Sequence, residues 1–221
     1  MIQPVAKRKA EGHYEARIVV VGVGNYGVNV VNSLIEAQVG GVEFVAMDTD
    51  GQKLRESLSE KVLHLTGTGR GLGAGGNPEV GREAAQHHRQ EMEELFSGAD
   101  LVVVAASLGG GTGTGATPVV AEVAKSRGAL VVAILVLPFY WDGNPKKEEA
   151  ARQLEEMQKI ADAYSVVPND AIFEMVSEET PDEEAERLMD GIVQDSVSGL
   201  VEMISRPGYI NVDLNDVRSA L

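Results

Sequence analysis

Apolar residues gather into five short runs along this chain, each followed by a stretch of helical spacing. The runs lie at 17–23, 42–47, 101–106, 129–137 and 164–167. They are nearly continuous rather than alternating, which is the pattern of strands covered on both faces. Apolar positions three and four apart predict helices near 28–38, 78–96, 118–127 and 146–163. Strands alternating with helices in this way predict an α/β fold: three layers, a mainly parallel sheet and helices on both of its faces. No internal repeat, low-complexity tract or long linker interrupts the pattern.

A further helix follows the last run. Thr180, Pro181, Asp182 and Glu183 read as a capping box with proline at the first helical position. Leu188, Ile192, Val197, Leu200 and Ile204 then recur at helical spacing, and Pro207-Gly208 ends the helix. The acidic run 178–186 is accounted for by the macrodipole, since negative charge at a helix N-terminus is favourable. At ~1.5 Å per residue, a helix over 182–205 is roughly 35 Å long.

Composition narrows the function classes. A net charge of -15 opposes a nucleic-acid partner and opposes docking of the folded body on an anionic membrane. With no cysteine there is no disulfide, thiolate metal site or thiol nucleophile, which suits a reducing cytosol. The longest apolar run, 129–139, is too short to span a bilayer. Residues 1–16 hold Lys7, Arg8 and Lys9 without a hydrophobic stretch, so they read as a flexible tail and not a signal peptide.

Two glycine-rich turns follow strands and open helices. The first, Gly22-Val23-Gly24-Asn25-Tyr26-Gly27, fits the dinucleotide fingerprint, with Asp48 at the end of the next run available to a ribose. Any phosphate binder shares its physics, because glycine lets the backbone approach and a helix N-terminus supplies N–H donors. The second, Gly109-Gly110-Gly111-Thr112-Gly113-Thr114-Gly115, holds five glycines in seven residues. That density exceeds what packing alone would predict, and the threonine hydroxyls add donors for phosphate. A P-loop would place lysine before Ser/Thr, and none follows here. A nicotinamide dehydrogenase would need only one such turn, and no hydride-transfer constellation stands out.

The second turn resembles the signature of the tubulin/FtsZ family in full. Residues 100–106, Thr117-Pro118, Pro138-Phe139, the stretch 71–81 and Pro168-Asn169-Asp170 are similar to the FtsZ branch, and the likeness runs from about Arg17 to Leu221. It implies a Rossmann-like GTPase domain over 17–181, a long core helix with a following loop over 182–221, and a cytoplasmic protein of the division site. The second domain and tail that follow in the family are absent from these 221 residues.

The resemblance also implies roles. Gly24, Asn25, Tyr26, Gly27, Val28 and Asn29, with Gly110, Gly111, Thr112, Gly113 and Thr114, would hold the phosphates of GTP or GDP with Mg2+. Ala74, Gly75 and Asn77 would lie over the terminal phosphate. Asp142 stands where the family has a ribose-binding glutamate, Lys146 where it has a nucleotide-contacting arginine, and Asn169 lies in a matching motif. Asp190 stands where the family reads the guanine edge, and a carboxylate accepting two N–H bonds suits guanine over adenine. Asn25 and Tyr26 replace the usual glycines, and a tyrosine there is expected to crowd the phosphates. Glu186 replaces the base-stacking aromatic, one turn from the like charge of Asp190.

Asn211-Val212-Asp213-Leu214-Asn215-Asp216 resembles the loop whose aspartates polarise the attacking water; its composition also fits a turn with Asx caps. Catalytic roles are implied for Asp213, Asp216 and Asn211. The long helix would set them on the side away from their own nucleotide, so that a head-to-tail neighbour completes the site and a filament results. The partner is then a second copy or a full-length FtsZ-type protein. The alternative is a guanine-nucleotide-binding regulator with little hydrolysis of its own.

Overall fold

The computed structural model describes residues 16–67, 71–177 and 180–205, without the side chains of 182, 183, 185, 186 and 203–205. Six strands, β1 (Ile18–Val23), β2 (Glu43–Asp48), β3 (Lys61–His64), β4 (Leu101–Ser107), β5 (Leu130–Leu137) and β6 (Ala163–Pro168), form one sheet in the order β3-β2-β1-β4-β5-β6. Every pairing is parallel. Five strands match the apolar runs to within a residue. The sixth, β3, was not expected: it is a four-residue edge strand, and an edge needs fewer apolar positions.

Alternate residues along each strand feed two separate cores. Val19, Val21 and Val23 of β1 and Val102, Val104 and Ala106 of β4 face one side. There they meet α3 (Pro78–His87), α4 (Arg89–Leu95), α5 (Thr112–Ser126) and α6 (Asn144–Ile160). Ile18, Val20, Leu101, Val103 and Ala105 face the other side, against α1 (Gly24–Glu36) and α7 (Asp182–Ser205). A short α2 (Gly51–Arg55), capped by the Asp50 carboxylate accepting from the Gln52 N–H at 2.8 Å, links β2 to β3.

Several helices depart from expectation. The stretch 78–96 breaks at His88, whose Nε2 accepts from the Thr66 N–H at 3.0 Å, so α4 starts afresh. Helix α5 starts at Thr112, six residues before Pro118, which sits inside it. Helix α1 opens at Gly24 directly from the strand, four residues before the expected start. At α7 the helix starts one residue past Pro181, and Thr180 Oγ1 accepts from the Ser177 N–H at 3.1 Å. The stripe Met189, Val193, Val197 and Val201 is buried, one residue every turn. No helix among the described residues is long and apolar enough to cross a membrane.

Candidate nucleotide site

The connections from β1 run outward toward β3, and those from β4 run the other way toward β6. The crevice between the carboxyl ends of β1 and β4 is therefore the switch point where doubly wound sheets bind ligands. Both glycine turns end there. They are in contact: a Cβ on Gly24, which has φ +76°, would lie 2.9 Å from the Gly113 nitrogen. The N-termini of α1 and α5 thus converge, and neither helix has an acidic residue in its first turn. Two uncompensated helix N-termini give an otherwise acidic protein a local place for an anion. The 72–77 turn closes over it, with Gly76 N and Asn77 N 3.2 and 3.1 Å from where a Cβ on Gly111 would stand. Asn77 caps α3 through its side chain, accepting from the Glu79 N–H at 3.0 Å.

Packing accounts for more of the second turn than its composition suggests. A Cβ on Gly113 would meet Ser107 O at 2.4 Å, one on Gly115 would meet Pro78 O of α3, and one on Gly111 would meet Ala74 Cβ at 2.7 Å. Gly110 alone of the five has nothing within 4 Å and no positive φ. The threonine hydroxyls also make hydrogen bonds within the protein. Thr114 is fully buried and accepts from the Gly109 N–H at 2.8 Å; Thr112 Oγ1 lies 2.5 Å from Thr49 Oγ1. Asp48, the possible ribose ligand, is buried beneath the site and accepts from the Asp50 N–H. Burial raises its pKa, opposed by its hydrogen bonds to Asp50, Thr49 and Thr112.

Beside the switch point lies a cavity of about 570 Å³. Asn25, Tyr26 and Asn29 of α1 line one side, Asn169 and Phe173 follow β6, and Asp190 comes from α7. The Tyr26 hydroxyl is shielded from solvent and lies beside the Asp190 carboxylate. Burial raises its pKa well above the usual phenol value, and the nearby Asp190 carboxylate raises it further. Tyr26, which replaces a glycine of the family, thus lines this cavity with its hydroxyl buried.

Residues 17–177 match the GTPase domain of the Tubulin/FtsZ family. The chain belongs to this family. It is 42% identical over 215 residues to cell division protein FtsZ 1 of Pyrococcus abyssi, covering 97% of this chain and 58% of the relative. It is 43% identical over 208 residues to FtsZ 1 of Thermococcus kodakarensis, covering 94% and 56%. Among solved structures, an empty FtsZ dimer from M. jannaschii matches with TM-score 0.87 at 40% identity, over 93% of this chain and 60% of that one. CetZ2 of Haloferax volcanii, solved as a GTPγS-bound protofilament, matches with TM-score 0.78 at 27% identity over 93% and 63%. The chain thus spans less than two thirds of the length of these relatives.

Within this FtsZ-type domain, residues predicted from widely separated motifs come together. Gly24, Gly27, Gly111 and Gly113 meet at the switch point, with Ala74 and Asn77 beside Gly111, while Asn25, Tyr26, Asn29, Asn169 and Asp190 line the cavity; Val28 instead packs with Ala46 and Leu54 on the β2 side. Asp142 and Lys146 pair with each other at 2.7 Å, and that hydrogen bond is the main cause of the lowered Asp142 pKa. The second Asp142 oxygen accepts from the Phe139 N–H at 2.9 Å, so this carboxylate also fastens the turn after β5. Asn211, Asp213 and Asp216, the Glu186 side chain and the first fifteen residues lie outside the described residues.

Sequence reasoning missed Phe139, Trp141, Ile172, Phe173 and Met189 as cavity walls. The available signal was the run Phe139-Tyr140-Trp141 in a chain with only 5% aromatic residues. Among the described residues no cluster of His, Asp or Glu gathers to hold a metal.

Proposed function

We propose that this chain is the nucleotide-holding domain of an FtsZ-type GTPase that hydrolyses GTP to GDP and phosphate on assembly. One observation carries the reading: two glycine turns in contact at the switch point, with the N-termini of α1 and α5 converging beside a cavity edged by Asp190. Backbone N–H groups suit the phosphates, and the Asp190 carboxylate suits the two N–H groups of a guanine edge. Mg2+ fits this scheme as an ion carried mainly by phosphate oxygens, which asks little of protein ligands.

Hydrolysis needs a water aimed at the γ-phosphorus, with GDP leaving through the β–γ bridging oxygen. Asp213 and Asp216, with Asn211, are the groups we assign to orienting and polarising that water. Asp190 and Ser205 are separated along α7 by about 22 Å at ~1.5 Å per residue. Residues beyond Ser205 are thereby started far from their own cavity, which favours donation to a neighbour's site in a head-to-tail filament. The partner is a second copy or a longer FtsZ-type protein, acting in the cytoplasm at the division site, with neither nucleic acid nor direct membrane binding. Calorimetric titration with GTP, GDP, ATP and NAD tests the core of the reading. Guanine nucleotides are expected to bind more tightly; equal binding of ATP would remove the role assigned to Asp190.

A further inference from the structure

The cavity beside the switch point has an aromatic wall that comes from neither glycine turn nor from α7. Phe139 and Trp141, in the turn after β5, stack with ring centroids 4.5 Å apart and planes 8° apart. Phe173, after β6, lies 5.2 Å from Trp141 at a tilt of 60°. Both Trp141 and Phe173 line the cavity, yet they are 56% and 47% exposed. Large aromatic rings left facing water beside a polar pocket gain by being covered with a flat apolar group.

The wall is built before any ligand arrives. Asp142 Oδ2 takes the Phe139 N–H, and Asp170 Oδ1 takes the Tyr140 N–H at 3.0 Å, tying the turn after β5 to the segment after β6. Tyr140 closes edge-on against Trp141 at 4.8 Å. Rings fixed in this way lose little freedom when a partner stacks on them. Asn169 and Asp190 in the same cavity supply polar groups for the edge of a flat ring.

We propose that Trp141 and Phe173, backed by Phe139, form the face on which the nucleotide's purine base stacks. The inference rests on the nucleotide reading above and adds to it the residues that hold the base. Stacking is indifferent to which purine is present, so these residues set affinity, while Asp190 sets the choice of base.

Trp141 is the only tryptophan in the chain, so its fluorescence reports this contact directly. GDP titrated into the native protein is expected to quench that emission, with the same midpoint as calorimetry. Trp141→Ala and Phe173→Ala are each expected to weaken GDP binding about tenfold or more, in the range of a lost base–aromatic stack. Trp141→Phe should recover most of the loss, and circular dichroism and thermal unfolding should stay native because both side chains are half exposed. Inorganic tripolyphosphate, which has no base, should bind the native protein and the alanine variants alike. If GDP binds with unchanged emission and equal affinity in the native and alanine forms, the stacking face is overturned and the nucleotide site stands. Equal weakening of GDP and tripolyphosphate also overturns it, by making the effect one of general site damage. If neither ligand binds the native protein, the nucleotide reading fails and the stacking face with it.

Discussion

Two glycines five residues apart in the second turn are there for different reasons, and alanine separates them. At Gly115 the added methyl carbon would fall 1.8 Å from Pro78 O and 2.6 Å from Arg82 N, both backbone atoms of α3. An ordinary carbon–oxygen approach is about 3.3 Å, so α3 must retreat by roughly 1.5 Å. Backbone cannot swing aside as a flexible side chain does. Overpacking of this kind costs about 1–3 kcal/mol, at the upper end here because α3 also carries the 72–77 turn. In a chain of 221 residues that lowers the melting temperature by about 4–12 °C. At Gly110 the methyl meets nothing within 4 Å and φ is not positive. Gly110→Ala should therefore leave stability within about 0.5 kcal/mol, or raise it by up to about 1 kcal/mol through a less flexible unfolded chain. Its methyl would instead stand in the space left for phosphate, costing at least about tenfold in GTP affinity, or ~1.4 kcal/mol. Thermal unfolding and calorimetric titration of both variants make the test. A native-stable Gly115→Ala would refute the close approach of α3 and α5. A Gly110→Ala protein with native folding and undiminished affinity would remove phosphate from this turn.

Three further outcomes are expected. Tyr26→Phe removes a buried hydroxyl that competes for the Asp190 carboxylate, so GDP affinity should rise a few-fold with stability changed by less than about 1 kcal/mol; weaker binding in calorimetry would mean that the phenol serves the ligand. Glu43 is held down to about 2, chiefly by its hydrogen bond from Arg17, with Lys61 contributing after the opposing effect of burial. Because its folded pKa is depressed, its contribution is present above about 4.5 and is lost as pH falls toward 2. Solvent screening of this 36%-exposed carboxylate limits that contribution to under about 1 kcal/mol; the urea midpoints of parent and Glu43→Gln should converge between pH 4.5 and 2, and a constant gap would refute the pairing. Asp213→Ala and Asp216→Ala should each abolish phosphate release while sparing GTP binding, and the native rate per molecule should rise with protein concentration; a rate independent of dilution would sink the shared site.

The sheet was legible because its central strands are buried on both faces and leave continuous apolar runs. The elements that escaped are those whose stability comes from elsewhere. β3 pairs only at an edge, with Lys61 and Val62 exposed. The early starts of α1 and α5 were hidden because glycine is a poor helix former, and here contacts between elements override that preference. Gly27 carries α1 against Ala105 O, and Gly115 carries α5 against α3, each at a distance only a residue without Cβ allows. The break at His88 depends on Thr66, twenty-two residues away, a contact that no local pattern contains.

The same distinction explains the site. A motif shows which residues occur together, but it does not apportion them between building a surface and touching a ligand. In the second turn most of the glycines allow close contacts with β4, α3 and the 72–77 turn, and the threonines bond to Thr49 and Gly109. That construction is what aims the helix N-termini, so in the proposed site these residues would serve a phosphate through the backbone they position. Gly110 is left with room, and room at a glycine is a better guide to a ligand than glycine count. The cavity follows the converse rule. Its polar residues were legible by resemblance, whereas Trp141 and Phe173 were not, because an aromatic residue in a sequence reads as core until its exposure is known. Exposure of 56% and 47%, beside a turn fixed by Asp142 and Asp170, is what separates them from core residues and carries the proposed stacking face.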